Sequence, residues 1–524
     1  MSNAPDPTST PPSGGPAAAK RLPMALAAGG AVLLVVVAGI ALLRKPDAGT
    51  VSDPAVTTAT VTKSGGQLIP AFDTKEPLVV NEIEAPSTWI DVTNPKAVRS
   101  VLTENAWLKK TTSSPLGQGF LGSWGAFFGS SNDDLGLADL GKGLIGDLVV
   151  EKLFAQPMRF NWFTGGNGAP ALVVPKPDGT LTTTVNALTA TLQRGGYLVD
   201  QCPGEPLVTD DKLKLPIVRW IAAEHTLYVA VVRDRLVVAK DAETVVHALC
   251  APLPVIDVVA GTDVVVGVSP EKLGRDAQAL SAIVGVGPEL RLAFAVDGTR
   301  LKPLGLTGAL AHPERLADTA IAKDTWKLVP EDMPVVVGAN LLLPASLSTE
   351  SLAAFWAKDG AKPATKAREV LLLWQPHGDD RPSEIALVWS DVGDRAALEN
   401  ILSGPNRLTI SDACGRLVAS SSPALTSRVQ AACGGASPSL LFAAPAVVEG
   451  LSKPWSAGVV VDTGRVLQNF LLEGYAHDAK SDGRKQQAPP AEIEAARQQL
   501  GELPRIGVVG VKSKAVLTGQ GFSS

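Results

Sequence analysis

Hydrophobic strand, turn and helix signals run through this chain twice in the same order, and a chain that repeats its own pattern is confined to folds that repeat it. Met158–Lys176 reads as a β-hairpin: MRFNWF, a Thr164–Gly168 turn rich in glycine, then ALVVPK. A helix signal follows, with Val185, Leu188 and Leu192 on one face and Gly195-Gly196 as its stop. Glu369–Asp391 repeats this as EVLLLWQ, a turn, then SEIALVWS, followed by a helix with Ala397, Leu398, Ile401 and Leu402 apolar. Ala171-Leu172-Val173 aligns with Ala386-Leu387-Val388. Further along, Arg235–Ala239 leads into a helix ending at Cys250, and Arg416–Ala419 into one ending at Cys433. Glu289–Val296 resembles Arg505–Val511, and Thr88–Val92 with Pro95–Leu102 parallels Pro334–Val337 with Leu347–Trp356.

The expected fold class is therefore α+β: an N-terminal transmembrane helix, then two tandem, diverged α+β modules with mainly antiparallel sheets. The modules fall at 82–316 and 332–524, joined by a linker at 317–331. One large α+β region with generic strand–helix alternation is the competing reading. Two insertions break the symmetry, Thr111–Gly146 and the charged loop His477–Pro490.

Met24–Leu43 is a run of twenty apolar or glycine residues without charge or proline, flanked by Lys20-Arg21 and Arg44-Lys45. At about 1.5 Å per residue it would span about 30 Å, a bilayer's hydrocarbon core. A cleaved signal peptide is the alternative, but its apolar stretch is usually shorter. Read as a signal anchor, this run makes residues 1–23 a disordered cytoplasmic tail and 44–81 a flexible tether. The expected location is the inner (cytoplasmic) membrane, single-pass, with the large C-terminal region outside the cytoplasm.

The net charge of −5 and the lack of a Lys/Arg run exclude a nucleic-acid partner, which needs a clustered basic surface. The cysteines are four: Cys202, Cys250, Cys414 and Cys433. An even count in an exported domain suggests disulfides, and of three pairings the sequential one keeps each bridge within a repeat. Four buried free thiols is the alternative.

No residue set earns a catalytic assignment. Gly136–Lys142 fits G-x-x-x-x-G-K, but Gly143 replaces the magnesium-binding Ser or Thr. Asp462-Thr463-Gly464 looks like an aspartic-protease loop, yet no second Asp-Thr-Gly exists to supply the paired carboxylate. His225, His247, His312, His377 and His477 show no metal spacing. His247, three residues before Cys250, could form a His–Cys pair, or simply face a structural cysteine. Ser420–Ser422 precede Pro423 and read as a helix cap. Trp89, Trp107, Trp162, Trp220, Trp326, Trp356, Trp374, Trp389 and Trp455 are spread over both halves and read as core. No cofactor, metal or catalytic residues are assigned.

In Pro157–Val174, Asp234–Leu249, Pro330–Leu342 and Gly415–Val429 the chain resembles bacterial membrane-anchored proteins grouped as domains of unknown function, the DUF3352-like and DUF2138-like families. The resemblance implies a cell-envelope accessory role and an α2-macroglobulin-like envelope partner. The expected function is that of a non-catalytic binding or scaffold module. An envelope hydrolase with a site built from scattered residues is one alternative. A structural part of an envelope, secretion or motility complex is the other.

Overall fold

The structure, a computed structural model, describes residues 82–104, 155–163, 171–199, 215–251 and 260–269, then 286–310, 312–348, 364–375, 383–402, 408–469 and 490–523, with short interruptions and a few isolated positions besides. The first half supplies β1 (Thr88–Val92), β2 (Met158–Trp162), β3 (Ala171–Pro175), β4 (Gln193–Val199), β5 (Leu215–Ala222), β6 (His225–Val232), β7 (Arg235–Ala239), β8 (Val264–Val268), β9 (Val286–Asp297) and β10 (Arg300–Leu310). The second supplies β11 (Val335–Pro344), β12 (Thr365–Gln375), β13 (Glu384–Trp389), β14 (Thr409–Ala413), β15 (Arg416–Ser420), β16 (Ala457–Asp462), β17 (Arg505–Ser513) and β18 (Val516–Ser523).

These strands form one 18-stranded sheet in which every pairing is antiparallel. Its spatial order is β4-β5-β6-β7-β3-β2-β1-β8-β9-β10-β18-β17-β16-β11-β12-β13-β15-β14. Outward from the central β10–β18 pair, the two arms carry the same strand order and the same register. Leu172 faces Val238 in one arm, and Leu387 faces Ala419 in the other. Val264 faces Phe294, and Ala457 faces Gly510. Val296 faces Leu301, and Lys512 faces Leu517. The β9–β10 pair departs from this register at two irregularities, between Pro303 and Gly305 and between Gly308 and Leu310. At the seam Gly305 lies opposite Gln520. A side chain at Gly305 would meet the Gly519 carbonyl at 2.6 Å, so glycine permits this close approach.

Both faces of the sheet are covered. Helices α1 (Pro95–Glu104), α2 (Gly179–Leu192), α3 (Ala242–Cys250), α4 (Arg395–Ile401), α5 (Pro423–Cys433) and α6 (Pro445–Ser452) lie against it. The Asp178 carboxylate caps α2 by accepting from the Leu181 amide at 2.7 Å, and Asp241 caps α3 by accepting from Thr244 at 2.7 Å. In the first arm, α1 and α2 bury Val98, Leu181, Val185 and Leu188 on one face, with Ile90, Val92, Leu172 and Phe294 from the strands. On the other face α3 packs over Ala171, Val173, Ile217 and Val237. In the second arm, Trp326, Leu425, Val447 and Trp455 cover Val336, Leu371 and Leu373. Its opposite face joins Leu398 and Leu417 to Leu306 and Leu310 of β10, so the core crosses the seam. Ala317–Glu331 contributes Ile321, Trp326, Leu328 and Val329 to this packing.

Two expectations are corrected here. Two tandem α+β modules with their own sheets are replaced by one continuous sheet, because β10 and β18 each keep an edge that the other completes. The single-pass inner-membrane placement is corrected as well: among the described residues no helix is long and apolar enough to cross a membrane. The apolar side chains of the described region are instead divided between the two faces of the sheet. Met24–Leu43 lies outside the described residues, as do the tail 1–23, most of 44–81, and the Gly136–Lys142 motif.

Candidate functional site

The most unusual chemistry sits on one face of β1, β2, β8 and β9. Asp91 and Arg159 face each other across β1 and β2, and Trp89 faces Asn161 two residues away. Alternation puts all four side chains on the same side of the sheet. Arg159 donates from Nε to one Asp91 oxygen and from Nη2 to the other at 2.7 Å. The pair is almost fully buried, Asp91 at 4% and Arg159 at 3% exposed. Burial lifts the Asp91 carboxyl above its ordinary range, against the opposing pull of the Arg159 hydrogen bond and the Arg159 and Arg291 charges. Arg159 Nη1 and Asn161 Oδ1 have no hydrogen-bond partner among the described residues. Beside them the Trp89 ring lies over Gly267, where an added Cβ would be 2.0 Å from the indole. Arg291, across from Gly267, pairs with Glu289 at 2.5 Å.

The second arm shows what the same positions do without charge. The Asp91–Arg159 place is held by Gly338 and Leu371, the Trp89–Asn161 place by Val336 and Leu373. Val460 and Gly507 stand for Gly267 and Arg291. Trp455 packs on Gly338 and Phe522 on Gly507, and the patch is apolar throughout.

The second arm has its own buried charge on the opposite face. Arg368 donates from Nε to Asp394 at 2.5 Å and from Nη2 at 3.0 Å, while Nη1 reaches the Pro344 carbonyl at 3.0 Å. Trp389 Nε1 also donates to Asp394 at 2.7 Å. Both Arg368 nitrogens of the fork find further backbone oxygens, so this pair is hydrogen-bonded throughout, unlike Arg159. In the first arm Gln156 stands where Arg368 does, and its Oε1 accepts from the Asp178 amide at 2.9 Å.

The described cysteines, His247, Asp462, Ser422 and several tryptophans singled out in the sequence occupy structural positions, whereas His477, Trp107 and Trp356 lie outside the described residues. Cys202 is bonded to Cys250 and Cys414 to Cys433, the sequential pairing. Each bridge fastens the last residue of a corresponding helix: Cys250 of α3 to Cys202, three residues beyond β4 in the sequence, and Cys433 of α5 to Cys414 in the turn between β14 and β15. His247 is buried; its Nδ1 accepts from the Glu84 amide at 3.1 Å, and its Nε2 lies 3.7 Å from Glu243. Its neighbour Cys250 is a disulfide sulfur and no nucleophile. Asp462 ends β16 and accepts from the Arg465 amide at 3.0 Å and from Arg505 Nη2 at 2.8 Å. Ser422 caps α5. Trp89, Trp326 and Trp455 are buried, and Trp326 and Trp455 pack with ring centroids 5.0 Å apart. Among the described residues no group of His, Cys, Asp or Glu could hold a metal ion.

Sequence reasoning missed Asp91, Arg159 and Asn161. The signal was a charge or amide inside strands that otherwise read as core, in TWIDV and MRFNW. Asp91 and Arg159 lie 68 residues apart, and Asn161 faces Trp89 across the same strand pair, which no local pattern reveals. No protein-family model, curated protein or solved structure matches the chain.

Proposed function

We propose that this chain is a non-catalytic binding or scaffold protein working where disulfides persist. The observation that carries the reading is how its reactive groups are held. Both Asp91 oxygens are taken by Arg159, Asp394 by Arg368 and Trp389, Asp462 by Arg505 and a helix start, His247 by a main-chain amide, and all four cysteines by one another. Catalysis by a nucleophile and base requires the two side chains within hydrogen-bond reach of each other, with the nucleophile free to react. What the described residues offer in its place is extent: a sheet of 18 strands, fastened by two disulfides.

The test pairs two measurements on the oxidised full chain. Fluorophosphonate and iodoacetamide probes should label the folded chain no more than a heat-denatured control. Photo-cross-linking in extract of its source cells should give a stoichiometric protein complex. Selective labelling of one side chain of the folded chain would overturn the reading.

A further inference from the structure

The two arms end differently. In the first, β6 is followed outward by β5 and then β4. In the second, β14 holds the place of β6, with β15 on one side and no described strand on the other. The shared register matches Val229 with Ile410 and Leu172 with Leu387, and its continuation matches Leu227 with Leu408. Leu227, Val229 and Leu172 are 4%, 2% and 7% exposed. Leu408, Ile410 and Leu387 are only half-buried. The covering side chains in the first arm belong to β5: Val218 lies opposite Val229, and Trp220 opposite Leu227. Ala397 and Leu402 are, like Ile410, partly buried against the same core.

The backbone of β14 is set for the same partner. Cys414 and Gly415 form a two-residue turn with φ of 47° and 77°, closed by Ala413 and Arg416. In an antiparallel hairpin inward and outward bonding alternate, so Ile410 and Asp412 turn their N–H and C=O toward the open edge. The Asp412 carbonyl accepts from Gln430 Nε2 at 3.0 Å. Neither main-chain group of Ile410 has a hydrogen-bond partner among the described residues.

We infer that the outer edge of β14 is a docking site for an extended strand of a partner polypeptide, antiparallel to β14, with a β-branched residue opposite Ile410 and a large aromatic opposite Leu408. The inference rests on the binding reading above and gives it a location. The chain's own β5 is the precedent, since it makes these contacts on the corresponding strand. Main-chain pairing supplies the affinity of such an added strand, and alternate side chains supply its selectivity. A second copy fits less well. Symmetric β14 pairing centred on Ile410 would set Leu408 against the Asp412 carboxylate, which Arg395 already holds.

The probe is an acetylated, amidated peptide of Leu215–Ala222 with two lysines appended for solubility, added to the oxidised full chain. Amide exchange in the segment 408–413 should slow at least about tenfold at saturation. Methylating the peptide nitrogen that corresponds to Val218 removes the bond to the Ile410 carbonyl and should weaken binding about tenfold, with the protein itself unaltered. No slowing at millimolar peptide, slowing confined to another segment, or equal binding of the methylated peptide would each overturn the inference. So would protection of 408–413 that rises with protein concentration alone, which would make a second copy the occupant. These outcomes leave the binding reading standing, whereas selective probe labelling removes that reading and says nothing of the edge.

Discussion

The first arm places Trp89, Asp91, Arg159 and Asn161 where the second places Val336, Gly338, Leu371 and Leu373. Strand order and register are the same, so the backbone demands neither solution. The apolar patch is the simpler one: side chains fill the space under Trp455, and no charge leaves water. The charged patch carries a desolvation cost that replacing it with apolar residues would remove. It also leaves Arg159 Nη1 and Asn161 Oδ1 without partners among the described residues. On this face the polar interior is one in which Asp91 and Arg159 are present together, each compensating the other.

The largest test removes one member. Arg159→Met strands the Asp91 carboxylate and should cost about 3–5 kcal/mol in chemical denaturation. The double variant Asp91→Gly/Arg159→Leu installs the second arm's pair and should recover at least about half of that loss. A double variant as unstable as the single one would break the equivalence of the arms.

The disulfides compare next. Cys202–Cys250 closes a separation of 48 residues and Cys414–Cys433 one of 19. Replacing either pair by alanine should cost about 2–4 kcal/mol, and the chain-entropy difference makes the first about 0.8 kcal/mol the larger. Equal losses in denaturation would show that fastening of the helix ends, and not loop length, sets their contribution.

Gly267→Val should then cost about 1–3 kcal/mol, because the new side chain meets the Trp89 indole. Pairing it with Trp89→Val reproduces Val336 and Val460, so the double variant should lose less than the sum of the two singles. Strict additivity would sink the correspondence at this position.

The smallest effect is in pH. Asp91 is raised by burial, so its contribution is fully present below the ordinary value of 3.8 and is lost as pH rises through its folded value. Asp391 in the second arm is lowered, first by the Lys366 hydrogen bond, so its contribution is present above 3.8 and is lost as pH falls through its folded value. Stabilities of Asp91→Asn and Asp391→Asn, each compared with the unaltered chain between pH 3 and 7, should therefore drift in opposite directions. Parallel drifts would contradict the burial of Asp91.

Much of this architecture was legible in the chain. Aligning Ala171–Val173 with Ala386–Val388, and Arg235–Ala239 with Arg416–Ala419, gives the same pairing in both arms. Aligning Glu289 with Arg505 also agrees with the register of β9 and β17. Alternation and turn chemistry are local, so they survive in sequence. Gly195 and Gly196 were less informative: read as a helix stop, they belong to β4 and its irregular pairing with β5. The added hairpin that separates the arms was therefore hidden, and with it the open edge of β14.

By itself, the sequence determined the repeated order of strands and helices, the caps and the cysteines available for bridging, because periodicity and short-range hydrogen bonding fix those. Only the tertiary structure decided that the arms share one sheet, that Asp91 meets Arg159, and that β6 has a further strand beside it where, among the described residues, β14 has none. Those outcomes depend on which distant strand completes an edge and on what each side chain finds opposite it, and neither is written in any local stretch of the chain.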